Sequence, residues 1–160
     1  MRKVYAFIIA MAIITTALMF IPHGNSNGLA IGEKIENQLV SSPKNHLVLI
    51  NFWASYDAAS REENVRFSQI LGKYEQNNHG LTSVSVSLDD YENLFREIVK
   101  KDNLNFTKVV REKKGFDSKL AKDFRLERHF GNFIVDQRGN IVAKDITPEQ
   151  LEKKLQRGMK

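Results

Sequence analysis

The feature that most constrains the fold is an apolar run that leads directly into a helix. Residues 47–52 are apolar except for Asn51, a pattern typical of a central strand that is covered on both faces. A short polar turn follows, and we predict a helix from Ser60 to about Asn77, with Ser60 and Glu63 forming a capping box. The first turn of a helix has free N–H donors and a positive dipole. Such a junction is therefore where an α/β protein tends to place reactive groups.

The chain has no cysteine among its 160 residues. This excludes disulfides within the chain, thiol–disulfide exchange by its own thiols, thiol peroxidase chemistry, and metal sites that need cysteine ligands. The formal net charge is +5, but Arg2 and Lys3 contribute two of those charges. No basic run is interleaved with aromatic residues, so we predict no nucleic-acid partner.

The first 26 residues have the pattern of an export signal. Arg2 and Lys3 precede residues 4–21, which carry no charge, and a polar stretch rich in Gly, Asn and Ser follows. The apolar run is longer than the usual core of a cleaved signal and just reaches the length that spans a bilayer. We predict a signal peptide or membrane anchor at 1–26, a linker at 27–30, and one folded domain at 31–160. The basic head would place that domain on the periplasmic or other extracytoplasmic side, attached through residues 4–21 if the segment is retained.

The rest of the chain alternates between strand and helix patterns. The predicted elements are a strand at 81–88, a helix at 91–101 capped by Asp89 and Asp90, a short extended stretch at 106–110, a helix opened by Asp117 and Ser118, a hairpin at 132–144 with a glycine turn, and a last helix that begins at Thr147. This order predicts an α/β domain with a mixed sheet and helices on both faces.

Four segments, in this order, resemble motifs of the thioredoxin-like superfamily, of the envelope thiol–disulfide oxidoreductase and peroxiredoxin-related (redoxin) type. They are Asn51-Phe52-Trp53-Ala54-Ser55 with Arg61 and Glu63, Val84-Ser-Val-Ser-Leu-Asp89, Gly115-Phe-Asp-Ser-Lys-Leu-Ala121 with Phe124-Arg-Leu126, and Phe133-Ile-Val-Asp136 with Gly139-Asn-Ile-Val142. Their spacings are family-like. The resemblance implies a thioredoxin-like three-layer α/β/α sandwich over about residues 31–157.

The resemblance also shows which family residues this chain lacks. Asp57 and Ser60 stand where the family has its nucleophilic and resolving cysteines. Phe130, three residues before Phe133, stands where the family has a cis-proline, and a cis bond before any other residue is costly. We interpret Asp57, Ser60 and Phe130 as vestigial active-site positions and predict no catalytic residue. The simpler role for Asp57 and Ser60 is to cap the helix.

No metal or cofactor is predicted. The four histidines, which lack helical i, i+4 partners, are His23, His46, His79 and His129. No glycine-rich phosphate loop is present. The resemblance would bring residues 126–131 close to the Asp57 turn, so a hydrolytic Ser60–His129–Asp57 site is one alternative, and polar packing or exposure of His129 is the simpler one.

We predict a non-catalytic protein that binds another envelope protein or a peptide segment. The resemblance implies a groove that holds an extended segment by β-addition, a mode that needs no cysteine. The candidate groove residues are Trp53, Tyr56, Asp57, Ser60, Arg61, His129 and Phe130. Two alternatives stay open. One is a thiol–disulfide oxidoreductase or peroxidase role in cell redox homeostasis that uses a partner's thiols, and the other is a structural domain whose groove Phe130 fills.

Overall fold

The computed structural model describes residues 47–74, 80–105 and 107–158. The predicted export segment, the linker and residues 31–46 lie outside the described residues, as do the predicted end of the first helix near Asn77 and three of the four histidines. Within the described residues, no helix combines the length and the apolar character needed to cross a membrane.

A five-stranded mixed sheet forms the centre of the domain. Its strands are β1 (Leu47–Trp53), β2 (Leu81–Ser87), β3 (Lys108–Arg111), β4 (Asn132–Val135) and β5 (Ile141–Lys144), in the order β3-β2-β1-β4-β5. β1 is parallel to β2 and antiparallel to β4, β2 is parallel to β3, and β4 and β5 form an antiparallel hairpin. All of β1 after its first residue is buried, which confirms the predicted central strand.

Helices cover both faces of the sheet. They are α1 (Ala58–Tyr74), α2 (Glu92–Lys101), α3 (Lys119–Asp123) and α4 (Pro148–Gln156), with a 3-10 turn at Gly115–Asp117. Val48, Ile50 and Phe52 pack on the face that α3 covers. Leu49 packs with α1 and α4, and Trp53 packs with α2. The predicted three-layer arrangement is therefore confirmed.

Two helix starts agree with the sequence. Thr147 and Gln150 form a complete capping box at α4, with Pro148 in the first turn. The Ser118 Oγ accepts a hydrogen bond from the N–H of Ala121 at 3.0 Å and caps α3. Both signals are local in sequence, so they can be recognised without knowing the fold.

The start of α1 was predicted incorrectly. The helix begins at Ala58, and the carboxylate of Asp57 accepts a hydrogen bond from the N–H of Ser60 at 2.8 Å. Ser60 therefore lies inside the first turn and is not the N-cap. Glu63 does not complete a capping box; it lies half-buried, and burial raises the pKa of its carboxyl, an effect partly offset by a hydrogen bond from Asn132.

The predicted cap of α2 is also wrong. Tyr91 occupies the N-cap position, and no side chain caps this helix. The carboxylate of Asp89 instead bonds to Ser55 and Ser87. The helix begins at Glu92. The next strand, β3, covers Lys108–Arg111, so it begins two residues later and ends one residue later than the predicted extended stretch at 106–110.

Candidate functional site

The turn after β1 is closed by backbone and side-chain hydrogen bonds. The N–H of Asp57 donates to the carbonyl of Ala54 at 3.1 Å, and the Asp57 carboxylate caps α1 through Ser60. The Ser60 hydroxyl is buried; it donates to the carbonyl of Asp57 at 3.3 Å and accepts from the N–H of Ala54 at 3.4 Å. Asp57 and Ser60, which stand where the resembling family has cysteines, therefore hold the turn together.

A buried carboxylate fixes this turn to the neighbouring strand. Asp89 is 1% exposed, and its Oδ1 accepts from the N–H of Ser55 at 2.9 Å and from the Ser55 hydroxyl at 2.6 Å. Its Oδ2 accepts from the Ser87 hydroxyl at 2.7 Å. Three donors from two chain segments, the N–H and hydroxyl of Ser55 and the hydroxyl of Ser87, thus satisfy this carboxylate without an ion pair to Lys or Arg among the described residues. We call Ser55, Ser87 and Asp89 the turn clasp.

The turn clasp was not predicted from the sequence. A signal was available, because the carboxyl ends of parallel strands meet at one edge of a sheet. Asp89 follows β2 as Ser55 follows β1, and the two strands are parallel. Arg111, at the end of β3, adds to the same edge by donating to the carbonyls of Asp89 and Asp90 at 3.2 Å.

Three aromatic rings form a partly open surface beside the turn. The Tyr56 ring is 6.2 Å from the Phe130 ring, which is 5.2 Å from the Phe116 ring. Tyr56 is 65% exposed, and the two phenylalanines are partly buried against the core. We call these three residues the aromatic surface. Desolvation, and then the nearby carboxylates of Asp89, Asp90 and Asp57, raise the pKa of the Tyr56 phenol, so this hydroxyl is uncharged at neutral pH.

The loop before β4 lies next to the aromatic surface. The N–H of His129 donates to the carbonyl of Leu126 at 2.7 Å, and the carbonyl of Gly131 accepts from the N–H of Phe52 at 3.0 Å. Between these two anchors, the N–H and C=O of Phe130 have no hydrogen-bond partner in the part of the chain that the structure describes. All peptide bonds of this loop are trans.

The structure brings only some of the predicted groove residues together. Tyr56 and Phe130 are in contact; Asp57 directly follows Tyr56 in sequence, and the exposed His129 directly precedes Phe130. Trp53 is 0% exposed and packs near Phe95, so its side chain does not line an open surface.

The side chains of two further predicted groove residues, Arg61 and Ser60, make contacts within the protein. Arg61 forms a bidentate ion pair with Asp102 at the end of α2. Ser60 bonds to the backbone of its own turn, so the structure does not assemble a Ser60–His129–Asp57 hydrolytic site. Among the described residues, no three His, Asp or Glu side chains come together as they would to hold a metal ion.

Buried polar residues hold α1 against the sheet beneath the turn. The Asn51 amide donates to the Asn64 Oδ1 at 3.0 Å, and the Ser85 hydroxyl donates to the same oxygen at 2.8 Å. Asn51 belongs to β1 and Asn64 to α1. This bond network places the helix N-terminus, and therefore the Asp57 turn, at a fixed position relative to the sheet.

Comparison with known proteins identifies the fold. No family model and no curated protein matches the chain. A thioredoxin-like protein from Parabacteroides distasonis is 36% identical, with 70% of this chain and 81% of that chain covered and a TM-score of 0.63. A thiol-disulfide oxidoreductase from Bacteroides fragilis is 29% identical, with 71% and 82% covered and a TM-score of 0.62.

A more distant structure, StoA from Bacillus subtilis, is 20% identical, with 69% and 83% covered and a TM-score of 0.58. At that identity the likeness concerns the fold alone. One of the similar structures, the protein from Bacteroides fragilis, is a thiol-disulfide oxidoreductase, whereas this chain has no cysteine. On its sheet order, its flanking helices and its identity to the Parabacteroides protein, the chain belongs to the thioredoxin-like proteins.

Proposed function

We propose that this protein is a non-catalytic, envelope-facing thioredoxin-like protein that binds an extended polypeptide segment at the aromatic surface. The observation that carries the proposal is the exposed ring of Tyr56 beside Phe130 and Phe116, in a chain without any cysteine. The extracytoplasmic location rests on the basic head and the apolar run at residues 4–21.

The chemistry of the turn supports a binding role over a redox role. A carboxylate cannot take part in thiol–disulfide exchange, and the Asp57 carboxylate is occupied by the N–H of Ser60. A redox function would require the partner to supply every thiol. No observation at the turn favours that alternative.

The aromatic surface has the properties of a binding site. Tyrosine supplies a large contact area with few rotatable bonds, and it is enriched among residues that dominate binding energy. Beside it, the unpaired N–H and C=O of Phe130 can hydrogen-bond to an extended segment by β-addition. Phe130 lies beside the Asp57 turn but leaves Tyr56 65% exposed, which favours an open surface over a groove that Phe130 has filled.

The test compares two exposed tyrosines. The full-length protein, with a photo-crosslinking residue at the exposed Ala58, is irradiated in its own cells, and the yield of each adduct is measured with and without Tyr56→Ala. We expect Tyr56→Ala to lower the yield of a discrete adduct roughly 5–30-fold, the effect of losing about 1–2 kcal/mol at a central aromatic residue.

Tyr91→Ala is the matched control, because Tyr91 is 74% exposed and lies outside the aromatic surface. We expect it to leave the adduct yield unchanged. An equal loss in both variants, or no loss in Tyr56→Ala, would contradict the proposed site.

A further inference from the structure

A cavity of about 320 Å³ adjoins the aromatic surface. Phe116 belongs to both, since its ring lies 5.2 Å from the Phe130 ring and it is one of the residues that line the cavity. Ala121 and Leu126 add apolar lining. We call this space the anchor cavity. Because Phe116 is shared by the cavity and the aromatic surface, a segment that lies on Tyr56 and Phe130 can place a neighbouring side chain there.

Charged side chains surround the anchor cavity. Lys122, Arg125 and Arg128 supply three cations, and Asp117 and Glu127 supply two carboxylates. Within the described residues none of the three cations forms an ion pair. They are therefore available to an incoming carboxylate, and arginine can bind one through two parallel N–H donors.

The opposite end of the surface is acidic. The carboxylates of Asp57 and Asp90 lie close enough to Tyr56 to act on its phenol, and Asp90 also lies close to Gly115, beside Phe116. The side chains near Tyr56 are therefore acidic, whereas the three cations and two carboxylates around the anchor cavity leave one net positive charge there. Such a gradient selects and orients a charged partner more than it raises the total affinity.

The loop that carries the two arginines is fixed in place. Leu126 between them is fully buried; its N–H donates to the carbonyl of Ala121 at 3.0 Å and its carbonyl accepts from His129. Arg125 and Arg128 both have positive φ, 52° and 66°, a conformation that surrounding contacts must maintain in residues other than glycine. The backbone that carries the two arginines is thus held in position before a partner arrives.

We propose that the anchor cavity takes an apolar side chain of the bound segment, and that its rim selects a segment in which acidic residues flank that side chain. This inference rests on the proposed function, because it specifies the chemistry of the polypeptide bound at the aromatic surface. The partner is a polypeptide with an aromatic or large aliphatic residue next to Asp or Glu.

The test uses three labelled synthetic peptides with the same Phe-Leu core, flanked by Asp, by Lys or by Ser. Fluorescence anisotropy measures the binding of each to the full-length protein. We expect the Asp-flanked peptide to bind about ten-fold more tightly than the Lys-flanked one at low ionic strength, with a smaller difference at about 0.5 M salt because of screening. Arg128→Glu is expected to reduce that preference at least roughly five-fold.

Arg157→Glu is the matched control, since Arg157 is an exposed arginine at the end of α4 and its reversal changes the net charge equally. An equal effect in both variants would attribute the preference to net charge and overturn the inference. Equal binding of all three peptides, weakened by Tyr56→Ala, would overturn the inference and leave the proposed function standing. Binding of none of them would overturn the inference, while the crosslinking experiment separately decides the proposed function.

Discussion

Replacing Asp89 with alanine is expected to lower the free energy of unfolding by about 3 kcal/mol. The Asp89 carboxylate is 1% exposed and accepts hydrogen bonds from the N–H and hydroxyl of Ser55 and from the hydroxyl of Ser87. Hydrogen bonds to a charged group contribute more than neutral ones, and their loss leaves donors without a partner. Urea unfolding, followed by circular dichroism, measures the change.

Asp90→Ala provides the control for that measurement. Asp90 is adjacent in sequence but exposed, so we expect its replacement to change stability by less than about 0.5 kcal/mol. Asp89→Asn should fall between the two, since one amide oxygen can still accept from Ser55. If Asp89→Ala and Asp90→Ala had the same effect, the turn clasp would have no special role in holding the turn.

Replacing Trp53 with alanine is expected to cost about 4 kcal/mol of stability. Trp53 is fully buried, with its ring 6.4 Å from that of Phe95, and Ile98 and Leu104 belong to the same apolar cluster. Removing the indole leaves a cavity between β1 and α2. Thermal or urea unfolding tests this directly.

Tyr56→Ala is the informative contrast to Trp53→Ala. Tyr56 lies three residues away but is 65% exposed, so its loss should change stability by less than about 0.5 kcal/mol. Trp53 is also the only tryptophan, and in the native protein its emission should be that of a buried indole. A Trp53→Ala variant as stable as the native protein would contradict the placement of this side chain in the core.

Patterns contained within one element could be predicted from the sequence. The two-sided burial of β1, the β4–β5 hairpin and the capping box of α4 each depend on neighbouring residues. The start of α1 could not be fixed in the same way. Asp57 and Ser60 are both good cap residues, and only the observed hydrogen bond between them shows which one caps the helix.

The parts of the site that sequence reasoning missed depend on contacts between distant segments. Ser55 meets Asp89 from 34 positions away, and Arg61 meets Asp102 from 41 positions away. A motif shows that Trp53 and Arg61 flank the turn but not which way each side chain points. In the structure Trp53 points into the core and Arg61 toward α2, which leaves Tyr56 as the exposed member of the motif.

The turn between β1 and α1 joins strand to helix without the cysteines of the resembling family. Asp57 and Ser60 now close the helix start that in the resembling family would support cysteines, and the turn clasp holds the same junction to β2. What stays available to a partner is the aromatic surface and the backbone of Phe130. The proposed binding role rests on this contrast: the polar groups of the turn are hydrogen-bonded within the protein, and the aromatic surface beside it is partly exposed.

The most direct measurement of that role is amide chemical-shift mapping during titration with an unfolded, cysteine-free polypeptide. We expect the largest changes at residues 55–57, at Phe116 and at residues 129–131, because these positions contain or adjoin the aromatic surface. A polypeptide without cysteine removes any contribution from thiol exchange. If these amides do not shift, or if the changes lie only at β5 and α4, the protein does not bind polypeptides at the aromatic surface.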